Sequence, residues 1–166
     1  MRVRMDAQRP ANELRESESH GRILAIDYGR KRIGLAVSDE LGLTARPLEN
    51  MQRENRQADM RRIREICREH CIRRVVVGQP LHMTGQAGEM AQEAERYAAR
   101  LRKQLGLPVE LLDERLTSWE AKETMEQAGG HSRRREPLDA VAAAVLLRDY
   151  LERERSLACA AIPEKD

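Results

Sequence analysis

Hydrophobic and polar positions along the chain fall into short runs with two distinct periods. Residues 22–27 are a nearly continuous apolar run that ends in the carboxylate of Asp27, the pattern of a strand buried on both faces. Residues 33–38 predict a second strand, and the basic link Arg30-Lys31-Arg32 makes the two a hairpin. Gly29 offers a positive φ at which the chain can reverse just after Asp27. Gly34 and Ala36 leave room for a close approach to the sheet. A third strand over 43–51 contains Pro47, which cannot donate to a ladder and so belongs at an edge.

From 55 to 71 the period becomes helical. Met60, Ile63, Ile66, Cys67 and His70 form the stripe, and Arg61, Arg62, Arg64 and Arg68 decorate the other faces, some paired with Glu65 and Glu69. Residues 73–78 are a β-branched fourth strand ending in glycine, and 79–88 a loop at its end. A second helix spans 89–105, with Met90, Ala94, Tyr97, Ala98, Leu101 and Leu105 on one face, and Gly106 and Pro108 stop it. The fifth strand, 109–112, runs into Asp113-Glu114-Arg115. Thr117 or Ser118 then caps a helix to Ala128, closed by Gly129-Gly130, and 131–136 is a basic loop. The last helix opens at Pro137, with Leu138, Val141, Ala142, Val145, Leu146 and then Asp149 or Tyr150 as its inner face.

This order predicts an α/β domain. Three strands joined by short links are antiparallel, and two more reached through helices are parallel to the first, giving a mixed five-stranded sheet with helices on both faces. The domain occupies 22–153. Residues 1–21, rich in charge and poor in large apolar groups, predict a flexible N-terminal extension, and 154–166 a flexible C-terminal tail.

Composition narrows the function. The net charge is only +2, but 26 of the 30 basic residues are Arg, whose planar fork suits phosphate. One Trp, three Tyr and no Phe argue against base stacking on aromatic platforms, so shape and backbone contacts should dominate any nucleic-acid binding. Cys67, Cys71 and Cys159 make no disulfide framework and no ligand set, and read as buried reduced thiols. Without a signal peptide or a long apolar run, a cytoplasmic protein with no membrane association is expected.

Three acids stand out by position: Asp27 ends the first strand, Glu114 (beside Asp113) the fifth, and Asp139 lies in the first turn of the last helix. Parallel strands one and five bring their C-terminal ends to one rim, where open α/β sheets bind ligands. Clustered carboxylates repel unless cations compensate them, and Mg²⁺ is the natural oxygen-seeking ion. Two such ions ~3.5–4 Å apart activate water and stabilise a leaving phosphodiester oxygen. Arg30, Lys31, Arg32, Arg115, Arg133, Arg134 and Arg135 are then candidates for holding the phosphate backbone. Each acid also has a plainer reading: a turn residue, a surface ion-pair partner, a helix-terminus charge. Strand alternation alone does not choose between Asp113 and Glu114.

Four motifs in order resemble the YqgF family, RNase H-like proteins described as Holliday junction resolvases and as nucleases of pre-16S ribosomal RNA. They are Ile26-Asp27-Tyr28-Gly29 with Arg32-Ile33-Gly34-Leu35-Ala36-Val37-Ser38-Asp39, then Gly78-Gln79-Pro80-Leu81, Asp113-Glu114-Arg115-Leu116-Thr117, and Leu138-Asp139-Ala140-Val141-Ala142-Ala143. The resemblance covers roughly 22–151. It implies an RNase H-like fold and a catalytic, metal-holding set of Asp27, Glu114 and Asp139. It also implies Mg²⁺- or Mn²⁺-dependent phosphodiester hydrolysis in 5′-end maturation of pre-16S rRNA. Expected partners are structured RNA or branched DNA, with the protein a monomer or homodimer. Two other nucleic-acid roles compete: a junction resolvase in DNA recombination and repair, and a non-catalytic ribosome-assembly module. The Asp-x-Gly hairpin also looks like the first phosphate motif of actin-like kinases, but 166 residues without an internal repeat leave no second domain to close on a nucleotide.

Overall fold

The computed structural model describes residues 21–81, 84, 86–116 and 138–160. The elements run β1 (Arg22–Asp27), β2 (Arg32–Ser38), β3 (Ala45–Gln52), α1 (Arg56–Glu69), β4 (Ile72–Gln79), α2 (Glu89–Leu105), β5 (Val109–Asp113), a 3₁₀ turn (Glu114–Leu116) and α3 (Leu138–Ala160). The helix expected up to Ala128, the basic loop 131–136, Pro137 and the extension through residue 20 lie outside the described residues.

The five strands form one sheet in the order β3-β2-β1-β4-β5. β1 pairs antiparallel with β2 and parallel with β4; β2 pairs antiparallel with β3, and β4 parallel with β5. The expected mixed topology is present. β3 is an edge, as Pro47 requires, and its register slips beside that residue, where Leu35 pairs with Glu49 but Ala36 with Pro47.

Strand alternation divides the core in two. Leu24, Ile26, Ile33, Leu35, Val75 and Val77 pack against Met60, Ile63, Ile66 and Cys67 of α1 and Tyr97 and Leu101 of α2. On the other face Ala25, Ala36, Val76 and Leu112 pack against Ala143, Leu146, Leu147, Tyr150 and Leu151 of α3. The small residues of β1 and β2 let α3 come close.

Several boundaries and faces differ from expectation. α3 continues past 153 to Ala160, where Glu154 reaches Arg74 of β4 at 3.5 Å and Ser156 donates to the Glu152 carbonyl at 3.0 Å. Residues 154–160 are helix rather than tail. The inner face of α3 also differs: Ala143, Ala144, Val145, Leu146 and Leu147 are all buried, whereas Val141 and Ala142 are half-buried. Between Ala140 and Leu151 the helix is buried on most sides, which leaves no single stripe for periodicity to find. His70 is not part of the α1 stripe; it is the helix cap. Cys67 alone is buried; Cys71 and Cys159 are exposed.

Candidate active site

The acids are placed by alternation and by two glycines. Ala25 faces α3, so Asp27, two residues on, lies on the α3 side of the sheet. Gly34 pairs with Asp27 on one side, and Asn50 pairs with Gly34 one strand further out. On the other side Ile26 pairs with Val77, which brings Gly78 beside the end of β1.

Neither glycine has space for a side chain. At Gly34 a Cβ would collide with the backbone carbonyl of Asp139 and lie 2.9 Å from the Ala140 nitrogen. At Gly78 it would collide with the carboxylate Oε1 of Glu114 and lie 2.6 Å from Cδ1 of Leu146. The strand-end acid therefore stands between two gaps, one filled by the start of α3 carrying Asp139, the other by the Glu114 side chain. Asp27, Glu114 and Asp139 are brought to one rim. What approaches Gly34 is the chain's own helix. Gly29 has no positive φ; its need is different, since a Cβ there would collide with the Arg32 carbonyl across the turn.

The structure also separates Glu114 from Asp113. Leu112 packs on the α3 side, so Asp113 points to the opposite face. There it accepts from the Arg115 backbone N–H at 3.0 Å and from Arg115 Nη2 at 2.6 Å, and this guanidinium holds its carboxyl below the usual range. Arg115 is thus engaged locally.

The Asp139 carboxylate accepts from Arg32 Nε at 3.0 Å and from Asn50 Nδ2 at 3.3 Å. Asn50 Oδ1 is buried with no partner among the described residues. In chemistry this rim fits a hard divalent cation, because it offers carboxylate and amide oxygens. In placement, Arg32 stands as the counterion of Asp139. Among the described residues no three Asp, Glu, His or Cys side chains group to hold a metal ion. An ion at Asp139 would compete with Arg32 for that carboxylate.

The basic tip is mostly compensated. Arg30 pairs with Glu93 at 2.8 Å and Glu89 at 3.2 Å, and it holds the Glu93 carboxyl low. Lys31 is exposed and has no ion pair among the described residues. Arg133, Arg134 and Arg135 lie outside the described residues. Sequence reasoning missed Asn50, Glu93 and the Arg53–Asp59 pair. The signal for Asn50 was its place in an edge strand opposite Gly34, visible only with the bulged register. Arg53 donates to Asp59 at 3.0 Å, to the Tyr28 hydroxyl at 2.9 Å and to the Gly29 carbonyl at 3.2 Å, and so ties down the turn behind Asp27.

Comparison with known proteins identifies the family. The family profile described as RuvX, Holliday junction resolvase, matches residues 21–153. The chain belongs to the RuvX family. RuvX relatives carry the name "Putative pre-16S rRNA nuclease". One from Koribacter versatilis is 41% identical over 138 residues, covering 82% of this chain and 90% of its own. Another from Anaeromyxobacter dehalogenans is 45% identical over 133 residues, covering 80% and 97%, and one from Geobacillus kaustophilus is 42% identical over 137 residues, covering 81% and 99%. Among solved structures, Thermus thermophilus RuvC in complex with a Holliday junction substrate is similar, with TM-score 0.59 and 18% identity over 81% of this chain and 96% of that one. At that identity the likeness establishes the fold, which is RNase H-like.

Proposed function

We propose that this RuvX-family chain is a divalent-metal-dependent endonuclease of structured RNA, acting in the cytoplasm in 5′-end maturation of pre-16S rRNA. Its carrying observation is the paired close approach at the rim, with Asp139 against Gly34 and Glu114 against Gly78 on either side of Asp27. The names of the relatives favour the rRNA substrate.

Asp27, Glu114 and Asp139 would hold Mg²⁺ or Mn²⁺, which supplies an activated water and stabilises the leaving oxygen. The chain's own residues do the rest. β1, buried through Leu24, Ala25 and Ile26, fixes Asp27 rigidly. Arg53 braces the turn behind it. Arg32 and Asn50 hold the Asp139 carboxylate at the rim in the absence of an ion, and Arg32, released from Asp139, is a cation for the scissile strand's phosphates. Lys31 adds a second charge at the hairpin tip, whereas Arg30 and Arg115 serve first to bind Glu93 and Asp113.

Junction resolution is the second reading, favoured by the description of the family profile. Cleavage assays of precursor 16S rRNA and of a four-way DNA junction, each with Mg²⁺ or Mn²⁺ and with Asp139→Asn as control, separate the two. Faster cleavage of the rRNA precursor supports the proposal; cleavage of the junction alone replaces it with the second reading.

A further inference from the structure

Between α1 and α2, on the sheet face away from α3, lies a cleft of about 470 Å³. Five arginines line it: Arg53, Arg56, Arg61, Arg64 and Arg100. The acid in its lining, Asp59, is 4% exposed and already taken by Arg53 at 3.0 Å. The other four arginines have no ion pair among the described residues; Arg64 donates to the neutral Gln104 at 3.0 Å. The cleft therefore gathers about four uncompensated positive charges, which self-repulsion would spread apart unless an anion enters.

A second observation is independent of charge. Tyr97 lines the same cleft, is 2% exposed, and its hydroxyl has no hydrogen-bond partner among the described residues. An orphaned buried hydroxyl costs stability unless a ligand satisfies it. Burial raises its pKa, so it remains a donor at any working pH. The guanidinium groups of Arg53 and Arg100 stand 5.8 Å and 5.9 Å from the Tyr97 ring centre, which keeps both forks beside that hydroxyl-bearing ring.

We propose that this cleft is a second, non-catalytic phosphate site, in which Arg61, Arg64 and Arg100 hold phosphate oxygens and the Tyr97 hydroxyl donates to one of them. Guanidinium forks match phosphate bidentately, and the volume admits a phosphate with its attached sugar. The phosphate belongs to an RNA strand that continues past the rim or to a free phosphorylated small molecule. The RNA source rests on the nuclease reading; the site itself does not.

The test uses the full chain with Asp27→Asn, so that binding is read without cleavage. Wild-type cleft, Arg61→Glu/Arg100→Glu, Tyr97→Phe and a charge-matched control, Arg68→Glu/Arg148→Glu, are compared after circular dichroism confirms that each folds. Thermal stabilisation by inorganic pyrophosphate and anisotropy of a labelled RNA over a salt series are measured. We expect pyrophosphate stabilisation in the control and its loss in the double variant, with Tyr97→Phe weakened several-fold while its unliganded melting temperature does not fall. An RNA source adds about a tenfold loss of RNA affinity and a salt slope shallower by about 1.4 in the double variant. A free small molecule leaves RNA binding unchanged. Equal effects of the cleft and control variants, or no pyrophosphate effect at all, overturn the proposal.

Discussion

Gly34 and Gly78 face different kinds of neighbour, and that difference separates stability from activity. A methyl at Gly34 meets helix backbone, which cannot rotate away. Gly34→Ala should therefore cost about 3 kcal/mol in urea unfolding, the upper end of overpacking penalties. A methyl at Gly78 meets the ends of two side chains. Gly78→Ala should cost about 1 kcal/mol yet lower cleavage on the order of 100-fold by moving the Glu114 carboxylate. Cys67 makes a different residue-scale test. Burial pushes its thiol up to about 11, so the folded state holds the proton more tightly than the unfolded one. Its stabilising contribution is complete below the unfolded thiol's pKa and fades as pH rises towards 11. At pH 8, iodoacetamide should label the exposed Cys71 and Cys159 in the native protein, and Cys67 only after denaturation; mass spectrometry reads the result.

Among the elements, β1 was the most legible, because an apolar run ending in an acid is unambiguous. α2 was legible to its ends, since Gly106, at φ +64, stops it. α3 was not, because burial on most sides of its first turns erases periodicity and its exposed last turns are tied by an ion pair to Arg74 that hydropathy does not register. At the site, the choice of Glu114 over Asp113 needed the sheet: the packing of Leu112 under α3 and the approach of Glu114 to Gly78 show which acid lies on the α3 side. The Asp59 side chain in α1 was hidden by being charged, although it is buried against Arg53. Asp59→Ala should cost about 3 kcal/mol, because it strands a largely buried guanidinium, and chemical denaturation measures it. The contact between β2 and α3 yields another expectation. The Arg32–Asp139 pair is exposed enough to be worth about 1 kcal/mol or less. Arg32→Ala should lower the Mn²⁺ concentration needed for thermal stabilisation by about two- to fivefold, because the ion no longer competes with the guanidinium for Asp139.

For the whole molecule, the sheet is the device that brings acids far apart in sequence to one rim. Residues 27, 114 and 139 lie along one rim because β1 is central, β4 brings Gly78 beside it, the Glu114 side chain fills the gap at Gly78 and the backbone of Asp139 the gap at Gly34. The same sheet sets the α3 face, where the carboxylates lie, apart from the arginine-lined cleft on the other. The proposed function rests on cleavage by the rim carboxylates. Its most direct test is cleavage of precursor 16S rRNA, in Mg²⁺ or Mn²⁺, by wild-type protein and by folded Asp27→Asn. Metal-dependent cleavage by the wild type is expected, with a loss of at least about 1,000-fold in the variant, on the scale of removing an essential catalytic group. Undiminished cleavage by Asp27→Asn would contradict it.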